Sequence, residues 1–290
     1  MFSNHEEGDM SVSNDQRATM QQRAANIKAA FFDIDGTLTS FTTHEVPQST
    51  VRTLHALQDH GIAIYICTGR APSFLNVVLE RIPVTFNGII GLNGQYCVDG
   101  GELIREQPLA QDDIDIMMEW FADHPDVVAS FAEKDYVYFN QMDDTMRQSW
   151  KALGKTAPAV HIADPVTRTA TTDTFQISPY ISTEQEQALT QLCHNVRGVR
   201  WAPTFADLIP ADGGKHRGIQ AVMNHHGWTM DEAIAFGDGG NDIDMLQAAG
   251  IGVAMGNAAD DVKTHADFVT RSVDQDGIAY ACQQLGVLGD

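Results

Sequence analysis

The sequence predicts an α/β protein: a doubly wound parallel sheet with helices on both faces, interrupted by an inserted α+β segment. Short continuous apolar runs alternate with helical patterns in two outer segments of the chain. Such runs are typical of parallel strands that helices cover on both faces. Between the outer segments, Asn-Gly and Asp-Gly turns separate shorter runs and indicate hairpins. We therefore expect residues 26–92 and 211–290 to form one domain and residues 93–210 to form a second.

The first outer segment alternates strands with helices. Its predicted strands are continuous apolar runs at residues 29–32, 62–67 and 88–92. Its two predicted helices begin at Pro47 and Pro72. Proline is favoured in the first turn of a helix, because its missing N–H would have no partner there. This alternation predicts parallel strands with the helices packed on the faces of the sheet.

The middle segment is predicted to be antiparallel, because its strands are short and close together in the sequence. Its predicted strands are residues 95–98, 102–105, 127–132 and 135–140. One predicted helix has apolar residues at helical spacing, namely Ile114, Met117, Met118 and Phe121. A second predicted helix covers residues 183–196. We expect the aromatic residues of this segment to form its small core rather than to stack on a ligand; they include Trp120, Phe131, Tyr136, Tyr138 and Trp150.

The second outer segment returns to the first pattern after Gly213 and Gly214. Its predicted strands are residues 233–237, 251–254 and 267–270. Its predicted helices are residues 215–225, 242–249 and 260–265. At the other end of the chain, residues 1–25 are polar and rich in Gln, Asn and Ser, and we expect them to be a flexible or weakly helical tail.

The charge of the chain excludes two classes of partner. Asp and Glu number 39 against 18 Lys and Arg, which gives a net charge of −21. Such a surface repels nucleic acids and anionic membranes. A small anionic substrate stays possible, because a bound cation can reverse the field locally. Four scattered cysteines, no apolar run long enough to span a bilayer and no signal-peptide pattern predict a cytoplasmic protein.

Polar residues follow three of the predicted parallel strands. Asp33 and Asp35 follow the first strand, Thr68, Gly69 and Arg70 follow the second, and the stretch Gly237-Asp-Gly-Gly-Asn-Asp242 follows a strand of the last segment. Ligands of open α/β sheets bind at the carboxyl ends of the strands, so we expect these residues to meet in one cleft. Each motif alone is also typical of an ordinary turn or helix cap. Their combination and order favour a functional site.

Four carboxylates in one cleft need a cation. An all-oxygen set with few protein ligands favours Mg²⁺, which shares its site with substrate phosphate. Beside Mg²⁺, an aspartate can attack phosphorus, and Asp35 could protonate the leaving oxygen and later deprotonate water. Thr68 and the following N–H groups could hold phosphoryl oxygens. Lys215 is the best candidate for a charge-balancing lysine, because it follows a Gly-Gly turn and begins a helix.

With these four motifs in order, the chain from about Lys28 onward resembles the haloacid dehalogenase superfamily, and within it the Cof-like sugar-phosphate phosphatases. The stretches Leu92-Asn-Gly94 and Gly252-Val-Ala-Met-Gly-Asn-Ala258 are similar to the family as well. The resemblance implies a Rossmann-like core with an inserted α/β cap. It also implies that Asp33 is the nucleophile and that Asp35 is the general acid and base.

The same resemblance implies a set of binding residues. Thr68, Gly69 and Lys215 would bind the phosphoryl group, and Asn241 would orient it. The Mg²⁺ ligands would be the side chains of Asp33, Asp238 and Asp242 and the backbone carbonyl of Asp35.

We therefore expect a Mg²⁺-dependent phosphatase of small phosphorylated metabolites, acting as a monomer or homodimer. Phosphorylated sugars or sugar alcohols are the first expectation for the substrate. Nucleoside or coenzyme phosphates, such as flavin mononucleotide and pyridoxal phosphate, are the second. Two other functions stay open: a phosphotransferase or mutase on the same scaffold, and a non-enzymatic phospho-aspartate regulatory module. A receiver-type module is a single compact domain, so the large insert favours an enzyme.

Overall fold

The structure is a computed structural model of the chain, and it describes residues 14–288. Its strands are β1 (Ala29–Phe32), β2 (Ala63–Cys67), β3 (Gly88–Gly91), β4 (Tyr96–Asp99), β5 (Glu102–Glu106), β6 (Ala129–Ala132), β7 (Val137–Phe139), β8 (Gln176–Pro179), β9 (Val196–Val199), β10 (Asp207–Pro210), β11 (Ala233–Gly237), β12 (Ile251–Ala254) and β13 (Phe268–Val269). Its α-helices are α1 (Asn14–Ala24), α2 (Gln48–Asp59), α3 (Asn76–Leu79), α4 (Gln111–Asp123), α5 (Asp144–Ala152), α6 (Pro165–Thr169), α7 (Thr183–Leu192), α8 (Lys215–His225), α9 (Ile243–Ala248), α10 (Asp260–Thr264) and α11 (Gly277–Leu285).

The larger sheet has eight strands in the order β13-β12-β11-β1-β2-β3-β4-β5. The first six of these are parallel, and β4 and β5 add an antiparallel edge. In the centre, Phe32 of β1 is in register with Ile66 of β2 and with Phe236 of β11. The residues that follow these three strands therefore begin at the same edge of the sheet, as the sequence predicted.

Helices cover both faces of this sheet, so the predicted doubly wound architecture is confirmed. On one face, α2 and α11 pack over Phe32 and Phe236, whose rings stack with their centroids 4.9 Å apart. On the other face, α8 and α9 pack over Phe31 and Tyr65, whose rings stack at 5.0 Å. Every residue of β1 is buried, as expected for a central strand that is covered on both sides.

The smaller sheet is antiparallel and is formed by the inserted segment. Its strand order is β7-β6-β8-β10-β9. The predicted pair 127–132 and 135–140 corresponds to β6 and β7, which are antiparallel neighbours. Trp120, Phe131 and Tyr138 lie in the hydrophobic core of this segment, as predicted. The sequence analysis did not identify β8, β9 or β10 as strands, because their mixed composition lacks a clear alternation.

One expectation about a segment boundary was wrong. The hairpin of β4 and β5, which we assigned to the insert, pairs with β3 and extends the larger sheet. A hairpin signal is local, so it does not indicate which sheet the hairpin joins. Residues 14–24 of the expected tail form helix α1, in line with the weakly helical alternative, and Met20 and Ala24 are buried against the core. The rest of that tail, residues 1–13, lies outside the described residues.

Candidate active site

Asp33 lies at the centre of the candidate site. It directly follows β1, the central strand, and its backbone N–H donates to the carbonyl of Phe236 at 3.0 Å. Its side chain is 10% exposed. Burial raises the pKa of Asp33 to about 7, although the nearby Lys215 ammonium lowers it. The strand end therefore holds a carboxylate in a place where its negative charge is costly without a cation.

Lys215 is the first residue of α8 and is fully buried. Its Nζ donates to Oδ1 of Asp33 at 2.6 Å and to Oδ1 of Asp242 at 2.5 Å. Burial opposes the charge of the ammonium, but Asp242 and Asp33 outweigh burial, and the pKa of Lys215 is well above its usual value. The lysine that the sequence analysis selected thus neutralises part of the acidic cluster.

Asp33, Asp238 and Asp242 form a cluster that could hold a metal ion. One carboxylate oxygen from each residue lies within 4.8 Å of those of the other two. Burial, together with the charges of Asp33 and Asp242, raises the pKa of Asp238 to about 8. One lysine does not balance three buried carboxylates, and an all-oxygen donor set fits Mg²⁺. The residues present therefore fit the predicted ion.

The loop after β11 holds the cluster in shape. Oδ2 of Asp242 accepts the N–H groups of Asp238 and Gly239 at 2.9 and 2.8 Å. Oδ1 of Asp238 accepts from Thr37 at 3.0 Å, and Oδ2 accepts from Asn257 at 3.1 Å. Asp242 therefore orients both the loop and Lys215. Asn257 received no role from the sequence, although it lies in the Gly252-to-Ala258 stretch that resembles the family.

Asp35 is placed differently from the three clustered carboxylates. Its two oxygens accept from Nε and Nη2 of Arg70, both at 2.7 Å. Arg70 also donates from Nη1 to the backbone carbonyl of Thr156 in the insert at 2.8 Å. Both oxygens of Asp35 are thus engaged by Arg70, and the cluster of Asp33, Asp238 and Asp242 does not include this side chain. The sequence analysis placed Arg70 in the motif after the second strand but assigned it no role.

A cavity of about 330 Å³ lies between the larger sheet and the insert. Six of the predicted site residues line it, namely Asp33, Asp35, Thr68, Gly69, Asp238 and Asn241. Lys215 and Asp242 lie behind this wall and contact Asp33 or its neighbours. The size of the cavity is at the lower end of the range for small-molecule sites. The structure thus brings all the predicted site residues together.

Aromatic side chains from the insert, together with Phe74 of the larger domain, line this cavity. Phe74 and Trp150 line it with their ring centroids 6.1 Å apart, and Trp201 and Phe205 line it at 5.2 Å. Trp201 lies directly over the loop after β11, since a Cβ on Gly239 would lie 3.1 Å from the Cβ of Trp201. Trp150 packs against a hydrophobic cluster of the insert, as expected, and it also lines the cavity.

Comparisons with known proteins agree with this geometry. The profile of the haloacid dehalogenase-like hydrolase family matches residues 30–282. A Bacillus subtilis protein named "Putative phosphatase YkrA" is 32% identical over 280 residues, which cover 90% of this chain and 98% of that protein. The solved structure of the haloacid dehalogenase subclass IIB sugar phosphatase BT4131 is 35% identical. It covers 90% of this chain and 99% of its own, with a TM-score of 0.82.

A third relative has a more specific name. It is the 5-amino-6-(5-phospho-D-ribitylamino)uracil phosphatase YitU of Bacillus subtilis, which is 27% identical over 260 residues. The match covers 85% of this chain and 93% of that protein. Within residues 14–288, no helix combines the length and the apolar character that crossing a membrane requires.

Proposed function

This chain belongs to the haloacid dehalogenase-like hydrolase family and hydrolyses phosphoric monoesters, and we propose that it does so with Mg²⁺ through an aspartyl-phosphate on Asp33. The observation that carries this proposal is the contact between Lys215 and Asp33 at the floor of the cavity. Lys215 fixes one carboxylate oxygen of Asp33, and Asp33 also lines the cavity.

In the first half of the proposed reaction, the carboxylate of Asp33 attacks the phosphorus of the substrate. The bond between phosphorus and the ester oxygen breaks, and Asp35 donates a proton to the leaving oxygen. Thr68, the N–H groups after it and Asn241 hold the phosphoryl oxygens, while Lys215 stabilises the growing negative charge. Mg²⁺ bound by Asp33, Asp238 and Asp242 would supply the positive charge that lets two anions approach each other.

In the second half, Asp35 takes a proton from a water molecule, which attacks the phosphorus of the aspartyl-phosphate. The bond between phosphorus and Asp33 breaks, and free phosphate leaves with the carboxylate restored. Arg70 supports this role because its two hydrogen bonds fix the orientation of the Asp35 carboxylate. The arginine also connects Asp35 to the insert, so the placement of the proton donor depends on the position of the insert.

We propose phosphorylated sugars or sugar alcohols as the substrates. The cavity of about 330 Å³ suits a small metabolite, and polar side chains lie among its aromatic walls. Two relatives support this class by their names, one a sugar phosphatase and the other acting on a phosphorylated ribityl compound. The aromatic walls also fit the second expectation, a coenzyme phosphate with a flat ring.

The test is phosphate release from a panel of sugar, polyol, nucleoside and coenzyme phosphates, with Mg²⁺ or with EDTA. We expect release that requires Mg²⁺ and is lost in Asp33→Asn, which changes one atom at the floor of the cavity. Activity that survives in this variant would overturn the role of Asp33. Added acceptor sugars separate hydrolysis from transfer, because a phosphotransferase would form a new ester in place of free phosphate.

A further inference from the structure

A buried carboxylate of the insert faces the same cavity as the proposed nucleophile. Asp207 is the first residue of β10, is 2% exposed and lines the cavity together with Gln176 and Ser178 of β8. Residues 176 and 178 point to the same face of their strand, because side chains alternate along a strand. β8 and β10 are neighbours in the smaller sheet, so the three side chains form one polar patch in a wall that also has aliphatic and aromatic side chains.

The partners of Asp207 are neutral. Ser178 Oγ donates to Oδ1 at 2.7 Å, and Asn93 Nδ2 donates to Oδ2 at 2.9 Å. A carboxylate has about four lone-pair positions, and these two bonds use half of them. Burial raises the pKa of Asp207 to about 6, with the two hydrogen bonds acting in the opposite direction. The carboxylate is thus kept in the interior at a cost, and it has acceptor capacity left on the side of the cavity.

Asp207 also lies beside the proposed phosphoryl site. A Cβ on Gly69 would lie 3.3 Å from Oδ2 of Asp207. Asn93 connects the two regions, because its Oδ1 accepts from Nδ2 of Asn241 at 3.0 Å while its Nδ2 donates to Asp207. A negative charge in this position opposes a second anionic group on the substrate and favours hydroxyl donors.

Resting on the proposed phosphatase function, we propose that Asp207 determines substrate specificity by binding hydroxyl groups of the leaving group and by excluding esters that carry a carboxylate. Gln176 and Ser178 complete the polar patch and position the carboxylate, because Gln176 Nε2 donates to Ser178 Oγ and Ser178 Oγ donates to Asp207. The class of substrate that this patch fits is a neutral polyol or sugar phosphate.

A purely structural role for Asp207 would have a different consequence. The Asn93 contact also joins the insert to the larger sheet, so loss of the carboxylate could simply loosen the cavity. That change would reduce turnover of every ester by the same factor. A role in recognition instead changes the ratio between esters that differ only in their hydroxyl or carboxylate groups.

The experiment compares kcat/KM of the wild type and Asp207→Asn for three esters with equal carbon chains: hexyl phosphate, sorbitol 6-phosphate and 6-phosphogluconate. We expect the wild type to prefer the polyol ester to the acidic ester. In Asp207→Asn, we expect the preference for sorbitol 6-phosphate over hexyl phosphate to fall about tenfold or more. The preference for sorbitol 6-phosphate over 6-phosphogluconate should fall as well, since the repelling charge is gone. Ratios within twofold of the wild type would overturn the proposal.

Two controls separate recognition from folding and from turnover. Asp113→Asn removes another buried carboxylate of the insert, which accepts the N–H groups of His194 and Asn195 away from the cavity, and should leave the ratios unchanged. Binding of the three esters, measured calorimetrically in Asp33→Asn with and without Asp207→Asn, gives a readout without turnover. Selective binding by an enzyme that releases no phosphate would refute the proposed reaction but retain the specificity. Normal phosphate release by the wild type, together with ester binding that Asp207→Asn does not alter, would refute the proposed specificity but retain the proposed reaction.

Discussion

At the scale of single residues, the site depends on one buried cation among buried carboxylates. Lys215 contacts Asp33 and Asp242 and is the cationic group that both of them share. Removing one member of such a group leaves the others uncompensated in the interior, which is more costly than the net value of the pair. The lysine therefore contributes to the stability of the fold and to the charge balance of the proposed reaction at once.

We predict that Lys215→Gln lowers kcat about a hundredfold or more, because the donor that stabilises the phosphoryl charge is lost. The variant should also lose about 3 to 5 kcal/mol of unfolding free energy, measured by urea unfolding. Lys263→Gln is the control: Lys263 lies on α10, 3.9 Å from Asp260, and its loss should change stability by less than about 0.5 kcal/mol. A Lys215→Gln protein with normal turnover would contradict the assigned role.

For Asp207 we predict the opposite effect on stability: replacing its buried carboxylate stabilises the fold relative to the wild type as the pH rises. Its pKa rises from 3.8 to about 6 on folding, so the native state favours the protonated form. The protonated carboxyl of Asp207 therefore favours the folded state at low pH, and this contribution is lost as the pH rises from about 4 through about 6. The full cost of the ionised carboxylate corresponds to about 3 kcal/mol. We expect Asp207→Asn to become more stable relative to the wild type as the pH increases.

Thermal or urea unfolding of the wild type and of Asp207→Asn between pH 5 and pH 8 tests this pH dependence. The difference in unfolding free energy should move in favour of Asp207→Asn by on the order of 1 to 2 kcal/mol over this range. Other titrating groups, Asp33 and Asp238 included, are common to both proteins and cancel in the difference. A difference that does not change with pH would mean that the carboxylate is not desolvated in the native state.

Most of the candidate site was predictable from the sequence at this scale. Asp33, Thr68 and Asp238 each directly follow a buried parallel strand or lie one residue beyond it, and parallel strands end at one edge of a sheet. Asp207 could not be predicted, because its partners Asn93 and Ser178 lie 114 and 29 residues away along the chain. Only the packing of the insert over the sheet brings them together.

At the scale of elements, the loop after β2 connects the site to the insert through Arg70. Its guanidinium forms a bidentate pair with Asp35 and also reaches the carbonyl of Thr156 at the end of the turn Gly154–Thr156. Such a fork has a fixed geometry that a lysine does not reproduce. The orientation of the proposed proton donor is thus linked to an element of the insert.

We predict that Arg70→Lys lowers kcat about tenfold or more, with a smaller effect on KM, because the charge is kept but the orientation of Asp35 is lost. Steady-state kinetics on one polyol phosphate measures this. Arg168→Lys is a matched control, since Arg168 forms a bidentate pair with Glu133 in the insert at 2.6 and 2.5 Å. Equal losses in the two variants would indicate a general effect on the insert rather than on Asp35.

The elements themselves were predictable where the pattern was periodic or continuous. Helix α2 has Val51, Leu54 and Leu57 on its buried face, as helical spacing requires. The helix expected from Pro72 to about residue 81 was only partly right: a short 3-10 turn, Pro72–Phe74, precedes the four-residue α3. Helix α1 was predicted only as a weakly helical alternative because its sequence is polar, and the burial of Met20 and Ala24 against the core comes from the fold.

At the scale of the whole molecule, polar contacts close the insert over the larger sheet. Besides the Arg70 contact, Lys155 of the insert pairs with Glu45 at 2.9 Å, and Arg197 pairs with Asp244 at 2.8 Å. These pairs are partly exposed, and such pairs contribute little individually. Contacts of this kind favour a closed arrangement without making it permanent, as release of a product from an enclosed cavity requires.

The Arg197 contact offers the sharpest test of this closure. Arg197 belongs to β9 of the insert, and it bridges Asp244 of α9 and the carbonyl of Gly213, just before α8. Because Arg197 does not contact the clustered carboxylates, its loss should shift the molecule towards an open arrangement without altering the chemical step. Binding that needs the closed arrangement then weakens in proportion to the closed fraction.

We predict that Arg197→Gln raises KM about threefold to tenfold while kcat stays within about twofold. Small-angle scattering should show a larger radius of gyration for the variant than for the wild type, and a saturating phosphate analogue should reduce the difference. Arg23→Gln is the control, because Arg23 pairs with Asp267 at 3.6 Å within the larger domain and has similar exposure. A fall in kcat with unchanged KM and unchanged dimensions would mean that Arg197 acts on the position of Lys215 through the start of α8, and not on closure.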